Sequence, residues 1–377
     1  MWLGLDDTDY LDGGCTTLEF HKLLEALPCS YSNLRLVRLW PFAAQRTRGN
    51  AALAVELHCD EEIIDFLDNY WENIILPLRG AISVSEHDDR SQHPTDPGMM
   101  LFSEQPGEEY YWRAVRQKVE DLPNAVKTWG GHGRIGASAA CAWPANTQTW
   151  EAIAWRVKDR KVDQNALAEV DSWTETFLCR DPRSNRGLIA PRGPCPVMFG
   201  IRATSEKVAT DAAKLLIDAE GTAEIISFRT FSTNQATGDH IERTYSAVVN
   251  EVSTIKGGHT IIETERGRLV SFSEGGEMNL LAQWLQPGDE IEYLGLDDDE
   301  ETTHLEGLKV LSSFSKERPT CSCGKRMKSM GKGQGVRCSN CKITQKEQWI
   351  VTERIPPSKG WTQPPFDSRR HLAREIV

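Results

Sequence analysis

The chain lacks any apolar run approaching the roughly 20 residues that a membrane-spanning helix needs. Its opening, Met-Trp-Leu-Gly-Leu-Asp-Asp, has neither the basic nor the apolar stretch of a secretory signal, so a cytoplasmic protein is expected. Positive charge is also in short supply: 43 Lys and Arg against 55 Asp and Glu leave −12, a poor start for a nucleic-acid protein. A disulfide framework is missing too. Cys15, Cys29, Cys59, Cys141, Cys179 and Cys195 are scattered without pairing spacing, whereas Cys321, Cys323, Cys338 and Cys341 crowd together, a metal pattern in a reducing compartment. What is present is length. The 377 residues predict two or three domains and exclude a single small binding module, and 39% hydrophobic with 26% charged residues describes a globular chain rather than a disordered one.

The acidic balance is uneven. Residues 312–377 hold 14 basic and 5 acidic residues, a net of +9, which leaves −21 on residues 1–311. A basic tail on an acidic body suggests that the tail holds a polyanion while the body handles something else, with an ordinary solubilising surface as the plainer explanation of the body. On this reading residues 312–377 form a separable arm, and the body keeps its own sites without it.

Residues 1–140 read as α/β: strands at 2–5, 34–40 and 51–58, helices from Thr16, from Glu61 to Trp71 and from Glu109 to Val119, and a loop over 87–107. Residues 141–243 alternate as strand, polar connection, strand, helix and strand, which suits a ferredoxin-like α+β layer. Residues 244–312 hold five β-runs punctuated by glycine with one short helix, the requirement of an OB-fold barrel, with an SH3-like barrel as the alternative.

Residues 313–377 contain the thiolates. Cys321-Ser-Cys323 and Cys338-Ser-Asn-Cys341 supply four soft donors on two knuckles, a filled structural Zn²⁺ site. Lys325, Arg326, Lys328, Lys332 and Arg337 lie between the knuckles and suit phosphate backbones, and Arg369, Arg370 and His371 add further basic groups beside Trp361 and Phe366.

The densest chemistry is at the start, Leu5-Asp6-Asp7-Thr8-Asp9 and then Gly13-Gly14-Cys15-Thr16-Thr17. Three carboxylates in one tight turn after a buried strand suit one or two Mg²⁺ ions, and Gly13-Gly14 would let the backbone approach a phosphate at the start of a helix. The same residues also read as an ordinary turn, with Thr16-x-x-Glu19 as a capping box.

This opening resembles that of the archaeal 2-agmatinylcytidine synthetase family, which modifies the AUA-decoding isoleucine tRNA. Arg35-Leu-Val-Arg38-Leu-Trp-Pro41, Thr47-Arg48-Gly49-Asn50, Thr95-Asp-Pro97-Gly98, Gly133-Arg134-Ile-Gly136, Pro196 through Arg202, Thr233-Asn234-Gln-Ala-Thr237 and the Arg369-Arg370-His371 tail follow in the family's order. The resemblance implies four domains: kinase-like (1–140), ferredoxin-like (141–243), OB-fold (244–312), and zinc ribbon with basic tail (313–377). It implies ATP, Mg²⁺, agmatine and one tRNA, with agmatine replacing the C2 oxygen of the wobble cytidine after that oxygen is phosphorylated. Asp6, Asp7 and Asp9 would then serve metal and triphosphate, and Thr16 would be the hydroxyl that becomes phosphorylated. Gly13, Gly14, Thr17, Arg48 and Asn50 would hold ATP phosphates; Asn234, Asp239 and His240 would contact substrate. An acidic body suits dicationic agmatine, and a basic tail suits tRNA. A nonenzymatic tRNA or single-strand binder and a kinase acting on another substrate are the competing classes.

Overall fold

The computed structural model describes residues 1–10, 13–45, 51–82, 93–191, 193–298, 302–346 and 348–376. Contacts divide the chain into two compact units, one of Met1–Glu242 with Arg369–Glu375 and a second built on Arg243–Ser368.

The first unit runs β1 (Trp2–Asp6), β2 (Asp9–Tyr10), β3 (Gly13–Gly14), α1 (Thr16–Ala26), β4 (Tyr31–Arg38), β5 (Ala51–Leu57), α2 (Ile63–Tyr70), β6 (Gly98–Phe102), α3 (Glu108–Arg116), β7 (Lys127–Gly130) and α4 (Arg134–Ala142). It continues through β8 (Thr149–Arg156), α5 (Gln164–Asp171), β9 (Thr176–Phe177), β10 (Val197–Ala203), α6 (Glu206–Asp218) and β11 (Ile225–Thr233). Nine of these strands form one sheet in the order β7-β6-β1-β5-β4-β11-β8-β10-β9. Neighbours are antiparallel except β4 and β11, which run parallel through Ser232↔Arg35 and Thr233↔Leu36.

β1 and β5 are buried on both faces along most of their length, hence the apolar runs Trp2–Leu5 and Ala51–Val55. Leu3, Leu5, Leu53 and Val55 pack with Phe20, Leu23 and Leu67. Trp2, Ala52 and Ala54 pack with Tyr111, Ala137 and Ala140 on the other side. α4 lies so close to β1 that a Cβ on Gly4 would stand 2.3 Å from the Ala137 carbonyl oxygen.

Several expectations change. The stretch 87–107 is not all loop: Gly98–Phe102 is a fully buried strand, hidden from composition by its polar flanks. The polar connection before Pro196 contains α5, whose N-cap Asp163 accepts from the Asn165 and Ala166 amides, and the short β9. Position 140 falls inside α4. The tail is not separable from the body, because residues 369–375 belong to the first unit. The Ala236 and Gly238 amides donate to His371 and Leu372 carbonyl oxygens at 2.9 Å, and Leu372 is buried in the core with Tyr111 and Trp143. Lastly, Cys29 and Cys59 are not scattered: they flank the Tyr31–Leu57 end of the β4–β5 ladder, where the His58 amide donates to Ser30 O, and both pack against the same core.

In the second unit β12 (Tyr245–Thr254), β13 (Thr260–Thr264), β14 (Gly267–Ser271), α7 (Glu277–Trp284), β15 (Glu290–Asp297) and β16 (Thr302–Ser312) build a closed barrel in the order β12-β13-β14-β16-β15. β17 (Phe314–Glu317) pairs with the later segment Ile350–Glu353 and, between them, the short strands β18 (Lys328–Ser329), β19 (Val336–Arg337) and β20 (Thr344–Gln345) form a sheet. Among the described residues no helix is long and apolar enough to cross a membrane.

Candidate active site and metal centre

β1 ends at Asp6, whose Oδ1 accepts from the Asp7 amide at 2.7 Å. Asp7 adopts φ +61, a left-handed conformation uncommon for a residue with a Cβ, and the chain turns there. The β2–β3 pairing of Asp9 with Gly14 and Tyr10 with Gly13 then folds the loop back. Gly14 has φ +69, and a Cβ there would stand 2.7 Å from Thr8 O, so both its conformation and its space call for glycine.

This return delivers Thr16 to the carboxylates. Its Oγ1 accepts from the Thr8 amide and the Thr8 hydroxyl, each at 3.3 Å, and donates to Asp9 Oδ1 at 3.1 Å. The capping box is not formed: Cys15 is the N-cap, extended and without a side-chain cap bond, and Thr16 is the first helical residue. Thr17 does not join the group, since its hydroxyl takes the Trp155 indole N–H at 3.1 Å and contacts Cys15 Sγ at 3.0 Å.

A fourth carboxylate arrives from far along the chain. The Asp96 amide donates to Asp7 Oδ2 at 3.1 Å, while the Asp96 side chain accepts from the His132 amide at 2.7 Å and pairs with Arg79 at 2.8 Å. The first turn of α4 closes the site from another side. A Cβ on Gly136 would fall 1.9 Å from Asp6 Oδ2, and one on Gly133 would fall 2.5 Å from Asp6 O. Asp96, Gly133 and Gly136 are additions to the residues assigned from sequence; all lie in stretches that carried the resemblance, without a role attached.

Burial, followed by the charge of Asp7, pushes the Asp6 carboxyl well above its ordinary range. Burial also raises Asp7 to about 8, with Asp9 and Asp96 adding repulsion against the Asp96 amide. Burial and mutual repulsion thus favour the neutral forms of Asp6 and Asp7, a cost that a bound hard cation would relieve.

Asn234 is fully buried and continues the β4 edge: its Oδ1 takes the Arg38 amide at 2.8 Å, and its Nδ2 donates to Arg38 O and the Tyr111 hydroxyl at 2.9 Å. Tyr111 donates in turn to Asp239 Oδ2 at 2.6 Å, and His240 is buried nearby in sequence. Beside this chain, Glu151 lies between Arg38 (3.5 Å) and Arg202 (3.4 Å), and Gln235 bonds to both Glu151 and Arg202. Arg38, then burial, then Arg202 hold the His371 imidazole well below its usual range. Arg48 and Asn50 lie outside the described residues.

In the ribbon, the Sγ atoms of Cys321, Cys323, Cys338 and Cys341 all lie within 4.8 Å of one another. Cys323 and Cys338 sulfurs are 3.6 Å apart, against about 3.8 Å for the edge of a tetrahedron with Zn–S bonds near 2.3 Å. The short Cys-x-Cys knuckle reaches this geometry through Gly324 at φ +81, whose amide donates to Cys321 O at 2.8 Å. The Cys341 amide donates to Cys338 Sγ at 3.4 Å. Lys325, Arg326, Lys328, Lys332 and Arg337 are all exposed.

These parts define a multidomain α/β protein with a closed five-stranded barrel and a C-terminal zinc ribbon. Family models described as the TiaS TCKD domain, the TiaS FLD domain and the TiaS C-terminal zinc ribbon domain match residues 2–134, 131–240 and 318–355. The isoleucine-tRNA 2-agmatinylcytidine synthetases TiaS of Methanosarcina acetivorans and Methanosarcina mazei are 30% and 31% identical, each alignment covering 100% of this chain and 97% of the relative. A crystal structure of TiaS in complex with its isoleucine tRNA and ATP is similar with a TM-score of 0.75 and 25% identity, over 99% of this chain and 96% of that one. The chain belongs to the TiaS family of isoleucine-tRNA 2-agmatinylcytidine synthetases.

Proposed function

We propose that this chain is an ATP-dependent tRNA-modifying enzyme of the cytoplasm that conjugates agmatine to C2 of the wobble cytidine of the isoleucine tRNA with a CAU anticodon. The observation that carries this is the Asp6-Asp7-Asp9-Thr16 cluster, built at a strand end on a chain matched along its length by synthetases of that name. Mg²⁺ held by Asp6, Asp7 and Asp9 would offset the charge of the ATP phosphates. The hydrogen bond from Thr16 Oγ1 to Asp9 supports Asp9 as the group that takes the hydroxyl proton when Thr16 accepts a phosphoryl group. The oxygen on cytidine C2 is a poor leaving group; once phosphorylated it departs as phosphate when the agmatine amine attacks C2, the amine giving up a proton.

Strand order supports the domain reading. β11-β8-β10-β9, numbered along their own segment, run fourth, first, third, second, with helices after the first and third, which is the ferredoxin-like arrangement. The barrel runs first, second, third, fifth, fourth, with one helix between the third and fourth strands, as an OB-fold does. On this reading the chain from β1 through α4 is the kinase-like domain and Zn²⁺ organises the ribbon for tRNA. The test is to incubate the protein with the tRNA transcript, Mg-ATP and agmatine, then digest and weigh the nucleosides. Agmatine-modified cytidine that requires all three co-substrates is expected; tRNA binding with neither ATP turnover nor modified cytidine would reduce the chain to a binder.

A further inference from the structure

Cys29 and Cys59 lie just outside the β4–β5 ladder, two residues before Tyr31 and two after Leu57. Tyr31 faces Leu57, and the His58 amide donates to Ser30 O at 2.9 Å. Continued outward by two residues on each strand, this register would set Cys29 facing Cys59. A 29–59 pair in that register would be of the non-hydrogen-bonded type, in which Cα atoms approach to about 4.5 Å, within the range a disulfide spans. Both side chains lie on the face that carries Tyr31 and Leu57, and both pack at the margin of that core. Neither is sealed off, each being half-buried, and the Met1 ammonium is fixed next to them on Leu57 O at 2.9 Å.

We propose that Cys29 and Cys59 are a reversible cross-strand dithiol–disulfide site, oxidised by low-molecular-weight disulfides of the oxidised-glutathione class. One thiolate attacks the small disulfide and releases one small thiol. The second cysteine then attacks the resulting mixed disulfide and releases the other. Two protein thiols and one small disulfide thus become one protein disulfide and two small thiols. Burial first, and hydrogen bonding to Cys29 second, push the Cys59 thiol up to about 12, and that hydrogen bond sets the two sulfurs side by side. The link would close a 31-residue loop between two central strands, at the end of β5 opposite to the Asp6 turn. It therefore stiffens the sheet that carries the site while touching none of the site's side chains.

The test uses full-length, zinc-loaded protein titrated with oxidised glutathione, followed by non-reducing peptide mapping and thermal unfolding. A peptide cross-linked through Cys29 and Cys59 is expected, two hydrogen masses lighter than the separate thiols, with a Tm rise of roughly 5 °C that dithiothreitol reverses. Cys29→Ser should abolish both the peptide and the shift and leave the ribbon's zinc in place. A stable glutathione adduct at Cys29 with no cross-link, or oxidation confined to the ribbon cysteines, would overturn the proposal.

Discussion

Thr16 is held from three directions, by the Thr8 amide, the Thr8 hydroxyl and the Asp9 carboxylate, and none of these bonds caps a helix. Thr16→Ala should therefore cost only about 1 kcal/mol of stability, the scale of one net hydrogen bond, and Thr16→Ser should cost less. Chemical denaturation of the two variants checks this. Asp7 gives the site a pH signature. A carboxyl whose folded pKa is raised stabilises the fold while protonated, so the contribution present below about pH 4 is lost as pH climbs through about 8. Without divalent cation the Tm should fall across that window; added Mg²⁺ should restore it most at the alkaline end, and Asp7→Asn should flatten the profile. Asp6, Asp7, Asp9 and Thr16 are readable from sequence because eleven residues and two glycines suffice to bring them together. Asp96 is not, because it reaches Asp7 only through the pairing of Asp6 with Gly98.

At the level of elements, glycine-punctuated β-runs are legible and short buried pieces are not. Five strands with one helix among them are found within 244–312, as the sequence leads one to expect, since each run is bounded by turn residues. β6 escapes because five buried residues sit in a polar neighbourhood, and α4 because its small residues, Gly136 to Ala142, show no amphipathic stripe when every face is buried. That burial has a function at its first turn. Gly136→Ala would drive a methyl group into Asp6 Oδ2, and modification should drop at least tenfold while tRNA affinity stays within twofold, measured by nucleoside yield and filter binding. In the ribbon, Cys338→Ser should release the single zinc, read by elemental analysis, and unfold β18–β20 without lowering the Tm of the first unit.

For the whole molecule, charge counting found a basic arm but misplaced where it ends. The +9 tail is two things: a ribbon belonging to the second unit, and a terminal strap, 369–375, that completes the first. No periodicity signals a strap of seven residues; it is seen only when His371 and Leu372 pair with the 236–238 turn. The two parts should separate by deletion. Excising 318–355 removes nine Lys and Arg and should weaken tRNA binding and flatten its salt dependence, with ATP binding retained. Leu372→Ala, in contrast, should destabilise the first unit by about 2–4 kcal/mol and leave the salt slope unchanged, as judged by denaturant unfolding and affinity at several salt concentrations.

The central claim is that the carboxylate–threonine cluster at the end of β1 drives agmatine conjugation. Nucleoside mass spectrometry of the isoleucine tRNA, after reaction with wild-type protein and with Thr16→Ala at matched tRNA occupancy, tests it most directly. Agmatine-modified cytidine from the wild type and at least a hundredfold less from Thr16→Ala is the predicted result. Equal yields from the two would place the chemistry elsewhere in the fold.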